Sequence, residues 1–555
     1  MRFIRTIRSL PSRDASRLVL LAGFLTGIAS FVYYYAHQLT TAHYDAKAHL
    51  LVARRMVDSL SPGYSQLGVN WLPLIHLVYL PFVIFDSQYR SGFIPSLISI
   101  CAFAFSGYLA FRISYRLTES TAAGVFAGLT LLANANLQYL QSCPLTEPLY
   151  MVLLLLAADS LTAWREAGCA CNPWRAAIWT SLGALCRYEG WYFFGGIVLL
   201  LAFDYWQNFA PRRKLLQAGA IFTAAFVIPI AAHFGYIFFR LGDTFFGRVA
   251  AGYPTPYTTY KRPFLSLIYH LGELSQVTAT LPLIMAAVGL LILLGQREEF
   301  RRRVPLLLLW LPSLINISAL YWGLIYRVRY SVLLVPAVSI LGSLVLISEN
   351  AKKRALLLLA LAPLVLPWVT WRLHLVNPAD APMPGPGALV LPVAGLIIYL
   401  IARSQQSYSG AIAVLCILSM QLPPLAREDH PMMVETMEHE FIEPERKEVL
   451  QYLRRNYDAK KVLIDMGTEA PLVYDSGLAV REFVYNEGGE ALWHQAAQNP
   501  EPIVGWLCTQ PGDQVSRLMD ADSNWARNYI MVLKTEHYRL YRLKINNNSE
   551  FEIRN

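Results

Sequence analysis

Asp45 heads the residues able to do chemistry. It stands in His43-Tyr44-Asp45-Ala46-Lys47-Ala48-His49, a charged and aromatic stretch between two long apolar runs. A carboxylate there can take the proton of a hydroxyl as its oxygen attacks a carbon centre, and one carboxylate suffices for single-step inversion. Asp45 also sits where a helix begins, and Asp is a favoured N-cap; the two roles are compatible. Glu147, in Thr146-Glu147-Pro148, is the second candidate carboxylate. It would bind acceptor hydroxyls, hold a cation or orient a basic partner, unless the triplet only starts a helix. Which of Asp45 and Glu147 is the base stays open.

Arg327 and Arg329 lie two residues apart in Tyr326-Arg327-Val328-Arg329-Tyr330. Two guanidinium groups this close repel unless an anion lies between them, and a phosphate accepts bidentate contacts from such groups. The alternative is snorkelling at a membrane interface. Lys47, Lys261 and Arg187 would add positive charge to the same phosphate. Arg187 and Glu189, in Arg187-Tyr188-Glu189, can also be a mutually paired couple between helices. Tyr330, Glu189, Trp71 and His49 complete the expected substrate contacts. Outer-loop aromatics such as Trp71, Tyr64, Tyr253, Tyr257 and Tyr260 suit stacking, although Trp and Tyr are enriched at every membrane interface. His43, Asp45 and His49 form a metal-like set of low specificity. We expect no metal and no cofactor.

The elements that position these residues are membrane helices. The 555-residue chain is 55% hydrophobic and 15% charged, with mean hydropathy +0.37. Apolar runs near twenty residues long, broken by short basic clusters, make it a polytopic helical membrane protein. About thirteen spans are expected, near 18–37, 92–112, 121–138, 148–164, 175–188, 190–206, 215–239, 277–295, 304–322, 330–347, 354–371, 387–403 and 410–425. Arg2, Arg5, Arg8, Arg13 and Arg17 precede the first, which is too long for a signal-peptide core.

The N-terminus is therefore expected in the cytoplasm. Arg112, Arg116, Arg165, Arg175, Arg212-Arg213-Lys214, Arg297, Arg301-Arg302-Arg303 and Lys352-Lys353-Arg354 then fall in inside loops. The net charge of +9 is thus an orientation signal and not a nucleic-acid footprint. The seven cysteines are scattered, and no disulfide framework is expected.

On this topology Asp45, Lys47, Glu147, Arg187, Glu189, Arg240, Lys261, Arg262, Arg327 and Arg329 all face the outside. A transporter would more often spread such groups along a path at mid-depth. In the first outer segment, Ala46, Leu50, Ala53, Val57 and Leu60 recur at helical spacing, predicting an amphipathic helix on the membrane surface that Ser61-Pro62-Gly63 stops. Leu72–Phe85, interrupted by Pro73 and Pro81, is expected to be interfacial or re-entrant. The stretch 240–276 is expected to be a mobile loop over the site. Two domains result: 1–425 in the membrane, with interfacial helices in 38–91, and a polar extracytoplasmic α/β domain at 426–555.

Together these features resemble the GT-C superfamily of membrane glycosyltransferases, especially bacterial protein O-mannosyltransferase-like and aminoarabinose-transferase-like members. The resemblance rests on Asp45 in the first outer loop, Glu147 in a Thr-Glu-Pro setting, and Arg329-Tyr330 opening a late span that continues to Pro336. A soluble domain after the last span completes it. It implies a GT-C-like fold and an inverting transferase in the inner cell membrane. The donor would be a polyprenyl-phosphate-linked sugar and the acceptor a hydroxyl of a protein, lipid or glycan. Asp45 would be the base, and Arg327 or Arg329 would hold the donor phosphate. Asp45-Ala46 replaces the Asp-Glu pair frequent in relatives. The Trp-Trp-Asp signature of oligosaccharyltransferases is missing, against asparagine-linked transfer. A flippase for a lipid-linked sugar is the alternative, since it too would need arginine near phosphate.

Overall fold

The computed structural model describes residues 11–242, 259–295, 303–323, 327–372, 390–405, 408–426, 430–437, 442–488 and 491–544. They fall into two compact units. The first holds 11–40, 93–232 and the described residues from 259 to 435. The second holds 41–92, the end of the Arg212–Leu241 helix, and the chain from 436 onward.

The first unit is helical. Ser12–Ala36, Phe93–Thr118, Thr146–Glu166, Trp174–Cys186, Glu189–Trp206, Thr280–Gly295, Glu349–Arg372, Val390–Gln405 and Tyr408–Ala426 follow expected spans. Five described helices are long and apolar enough to cross a membrane, or seven if two bent pairs count as one span each. The chain is a multi-pass membrane protein, but the expected count of about thirteen is not reached by that measure. Part of the reason is that Thr121–Leu132 ends early at Ala133-Asn134. Asn134 caps the next short helix by accepting from the Leu137 amide at 3.0 Å. Small residues let helices approach closely. A Cβ on Gly289 would lie 1.9 Å from the Leu341 carbonyl oxygen, so only glycine fits where Thr280–Gly295 crosses Val335–Ser343.

Three of the arginines expected in inside loops are held by acids. Arg112 and Arg116 reach Asp159 at 3.2 and 3.1 Å, and Arg165 meets Asp204 at 2.7 Å with both side chains buried. Arg297, Arg301 and Arg302 lie outside the described residues.

The 240–276 stretch corrects an expectation. It is helical through most of its described length: Arg212–Leu241 runs past 240, and Pro263–Val277 is a full helix. Pro263 suits a first helical turn, where its missing N–H costs nothing. This helix meets Thr280–Gly295 at a bend of 119°. Residues 243–258, with Tyr253 and Tyr257, lie outside the described residues.

The second unit also departs from expectation. The Tyr44–Arg55 helix is not laid on a surface with one wet face: residues 45–53 and Arg55 are all buried, while Val57, expected on the apolar face, is exposed. It is buried all round because its cations have acidic partners within the unit. Its cap is His43, whose Nδ1 accepts from the Asp45 amide at 3.0 Å, so Asp45 lies inside the first turn and is not the cap. The helix stops at Arg55, ahead of Ser61-Pro62-Gly63. Pro73–Val83 follows, with Pro81 inside it.

The C-terminal chain forms a five-stranded sheet of β1 (Val462–Ile464), β2 (Phe483–Tyr485), β3 (Trp506–Thr509), β4 (Tyr529–Lys534) and β5 (Arg539–Leu543), in the order β2-β1-β3-β5-β4. β1 pairs parallel with β2 and β3; β3–β5 and β4–β5 are antiparallel. The β1–β2 connection runs through the Met466–Asp475 helix and the β2–β3 connection through Ala491–Gln498, the crossovers that parallel neighbours need. Leu463, Val484, Trp493, Leu507 and Val515 form the core, against which Leu60 of the 41–92 segment packs.

Inside this domain Glu469 is almost fully buried and accepts from the Tyr538 hydroxyl at 2.9 Å. Burial raises its carboxyl from 4.5 to about 8, with the Tyr538 bond acting in the opposite direction. Between those values the folded protein keeps a proton that the unfolded chain has lost, so stability falls as pH rises through this window. Glu469→Gln keeps a polar partner for Tyr538 but removes the titration. It is expected to be more heat-stable than the parent at pH 8, with a smaller difference at pH 5. Equal pH dependence of the two melting temperatures would contradict the burial argument.

Candidate active site

The expected site residues divide between the units. In the first, the chain turns sharply between Trp174–Cys186 and Glu189–Trp206. Arg187 is extended (φ −148, ψ 150), and Gly190 lies so close to the preceding helix that a Cβ would stand 2.7 Å from Ala184 Cα. This turn directs Arg187 at two carboxylates. Its Nε and Nη2 donate to Glu189 at 3.1 and 2.5 Å, and its Nη1 donates to Glu147 at 2.7 Å and to the Thr146 hydroxyl at 2.6 Å. Thr146-Glu147-Pro148 does begin a helix, as expected, and Glu147 is fully buried within its first turn.

Arg329 approaches the same carboxylate. Its Nε lies 3.7 Å from Glu147 Oε1 and 3.7 Å from Glu435 Oε1. Glu435 in turn accepts from the Val328 amide at 2.5 Å, tying it to the start of the Val328–Val332 helix. The Tyr330 ring has the Arg187 guanidinium 5.1 Å from its centroid and that of Arg329 at 5.3 Å, a spacing suited to cation–π attraction. Buried charges of both signs are thus interleaved, as they must be where water is excluded.

The two arginines differ in kind. Arg187 spends its donors on carboxylates at hydrogen-bond length. It therefore clamps helices together, as the paired-couple reading expects. The Nε of Arg329 stands beyond hydrogen-bond length from both acids. Arg327 is half-buried at the cap of the same short helix, and Lys261 is exposed beside the Tyr260 ring.

In the second unit, Asp45 is 8% exposed. His49, one helical turn on, bonds through Nδ1 to His76 Nε2 at 3.1 Å; His76 Nδ1 donates to the Leu72 carbonyl at 3.0 Å, which fixes that ring's tautomer. Trp71 packs edge-on against His49 with centroids 4.6 Å apart. Lys47, expected on a phosphate, is ion-paired to Asp475 at 2.5 Å, and burial lowers its pKa while Asp475 opposes that shift.

One further group of metal-type ligands comes together among the described residues, Glu445, Glu536 and His537. Glu445 there accepts from the Thr535 hydroxyl and from both the amide and Nδ1 of His537, so it serves as a clasp on the β4–β5 turn. Sequence reasoning missed Glu435 and Thr146 as members of the arginine cluster. Glu435 lies in polar chain beyond the last apolar run, where no local pattern marks it.

This helical architecture with its C-terminal sheet is a GT-C-like fold. Among solved structures it matches ArnT of Cupriavidus metallidurans, an aminoarabinose transferase seen apo and bound to undecaprenyl phosphate. The TM-score is 0.54 and the identity 13%, over 93% of this chain and 97% of that one. The archaeal oligosaccharyltransferase AglB from Archaeoglobus fulgidus, solved with an inhibitory peptide and a dolichol-phosphate, gives a TM-score of 0.44 at 11% identity, over 96% of this chain and 75% of that one. No family profile and no curated protein matches the sequence.

Arg187→Met would leave Glu189 buried without its partner, a defect that costs about 3–5 kcal/mol. The melting temperature of the purified protein should fall accordingly. Arg187→Met combined with Glu189→Gln should regain part of the loss, because Glu147 still faces Arg329. A double variant no better than the single would contradict the clamp.

Proposed function

We propose that the protein is an inverting glycosyltransferase that moves a sugar from a polyprenyl-phosphate donor to a hydroxyl acceptor at the outer face of the cell membrane. The observation that carries this reading is the buried Arg329 beside Tyr330. It lies in a chain whose fold matches, over nearly its whole length, a protein seen with undecaprenyl phosphate.

In the reaction the acceptor oxygen attacks the anomeric carbon while Asp45 takes its proton. The bond from that carbon to the phosphate oxygen breaks, and the lipid phosphate leaves with the electron pair. Its charge grows from one to two negative units as it departs, so a fixed guanidinium stabilises the transition state more than the ground state. Arg329, with Arg327 on the same short helix, fills that role. Glu147 holds Arg187 and faces Arg329, which supports giving the base role to Asp45.

Asp45→Asn should lower sugar transfer by roughly 10²–10⁴-fold, the usual worth of a positioned general base. Binding of undecaprenyl phosphate to that variant should be unchanged. Arg329→Ala should weaken undecaprenyl phosphate binding itself. Transfer near the parent rate in Asp45→Asn would overturn the mechanism, and lipid movement without transfer in the parent would favour a flippase.

A further inference from the structure

Two cations on the Tyr44–Arg55 helix are buried against the C-terminal domain. Lys47 Nζ lies 2.5 Å from Asp475 Oδ2, at the end of the Met466–Asp475 helix. Arg55 is fully buried; its Nη1 lies 2.7 Å from Glu487 Oε2, just beyond β2, and its Nη2 donates to the Leu67 carbonyl at 3.3 Å. Nε of Arg55 donates to the Gln66 carbonyl as well. The Tyr44 hydroxyl donates to the Gly467 carbonyl at 2.8 Å. The adjoining segment is held in the same way. Tyr485 donates to Gln66 Oε1 at 2.9 Å, and Arg90 donates to the Tyr474 and Gly477 carbonyls at 3.2 and 3.0 Å.

Removing a cation from water costs several kcal/mol before any pairing returns it. Apolar side chains would anchor a helix at less cost, but they would let it slide and turn. Ion pairs with hydrogen-bond geometry fix rotation and register. The positions have a further consequence. Lys47 stands two residues from Asp45, about 200° around an α-helix, and Arg55 about 80° from Lys47. The Lys47 grip is therefore on the side of the helix turned away from Asp45.

We propose that Asp475 and Glu487 are positioning residues for Asp45: the C-terminal domain sets the rotation of the Tyr44–Arg55 helix and thereby the attitude of the catalytic carboxylate. This rests on the assignment of Asp45 as the base. A misplacement of about 1 Å is enough to cost on the order of 10²-fold in rate.

The test is kinetic, on the full-length protein in lipid nanodiscs. The probes are undecaprenyl-phosphate-linked mannose, glucose and aminoarabinose, with membrane extract as acceptor, followed on whichever sugar the parent transfers. Asp475→Asn with Glu487→Gln should lower kcat about 10–100-fold while KM for the lipid donor stays within about twofold. Binding of undecaprenyl phosphate should be unaltered. The exchanged pair, Lys47→Asp with Asp475→Lys, should recover most of the kcat lost in Asp475→Asn alone, which separates orientation from a general loss of packing. An unchanged kcat in the double variant, with Asp45→Asn inactive, overturns the positioning role and leaves the base assignment standing. A joint fall of kcat, donor affinity and melting temperature, without recovery in the exchanged pair, also overturns it. Full activity in Asp45→Asn removes the base assignment and this inference with it.

Discussion

A guanidinium removed from water has to be met by carboxylates, and Arg187 is where the membrane unit meets that demand. It sits at the junction of the Trp174–Cys186 and Glu189–Trp206 helices and holds Glu147 at the start of a third. Every side chain around it is then constrained. Glu189 must face back along its own helix, Gly190 must lack a Cβ, and Tyr330 must present its ring to the cation. Once Glu147 is placed by Arg187, it in turn sets where Arg329 can stand. The arrangement converts a costly buried charge into a fixed local frame.

The same physical rule operates in the second unit with a different result. There the charges lie between a helix and a sheet domain far along the chain, and the pairing unites pieces that composition separates. A boundary drawn at 425/426 follows the change from apolar to polar sequence. Packing follows Lys47 to Asp475 and Arg55 to Glu487. The polar domain and the 41–92 segment are therefore one body, and the carboxylate proposed for catalysis belongs to it.

The spans were legible because burial in lipid demands long apolar runs, and the α/β character of the C-terminal chain agrees with its five-stranded sheet. The pairing of Arg187 with Glu189 was legible from a spacing of two residues. Partners distant in sequence were not. Nothing near Lys47 announces Asp475, and so a helix buried all round reads as amphipathic from sequence. His43 was overlooked as a cap because Asp is the commoner one. Pro263–Val277 reads as part of a loop because the Tyr, Thr, Pro and Gly of the preceding residues colour the whole stretch.

The 432 positions that separate Arg55 from Glu487 also place an event in time. At ribosomal speed the interval is on the order of tens of seconds. For that whole period the Tyr44–Arg55 segment exists without the acids that neutralise it, while the intervening spans are made and inserted. A chain cut short before residue 475 has spans able to enter a membrane, yet it carries Lys47 and Arg55 with no acidic partner for either. Maturation of the Tyr44–Arg55 segment therefore waits for the synthesis of Asp475 and Glu487.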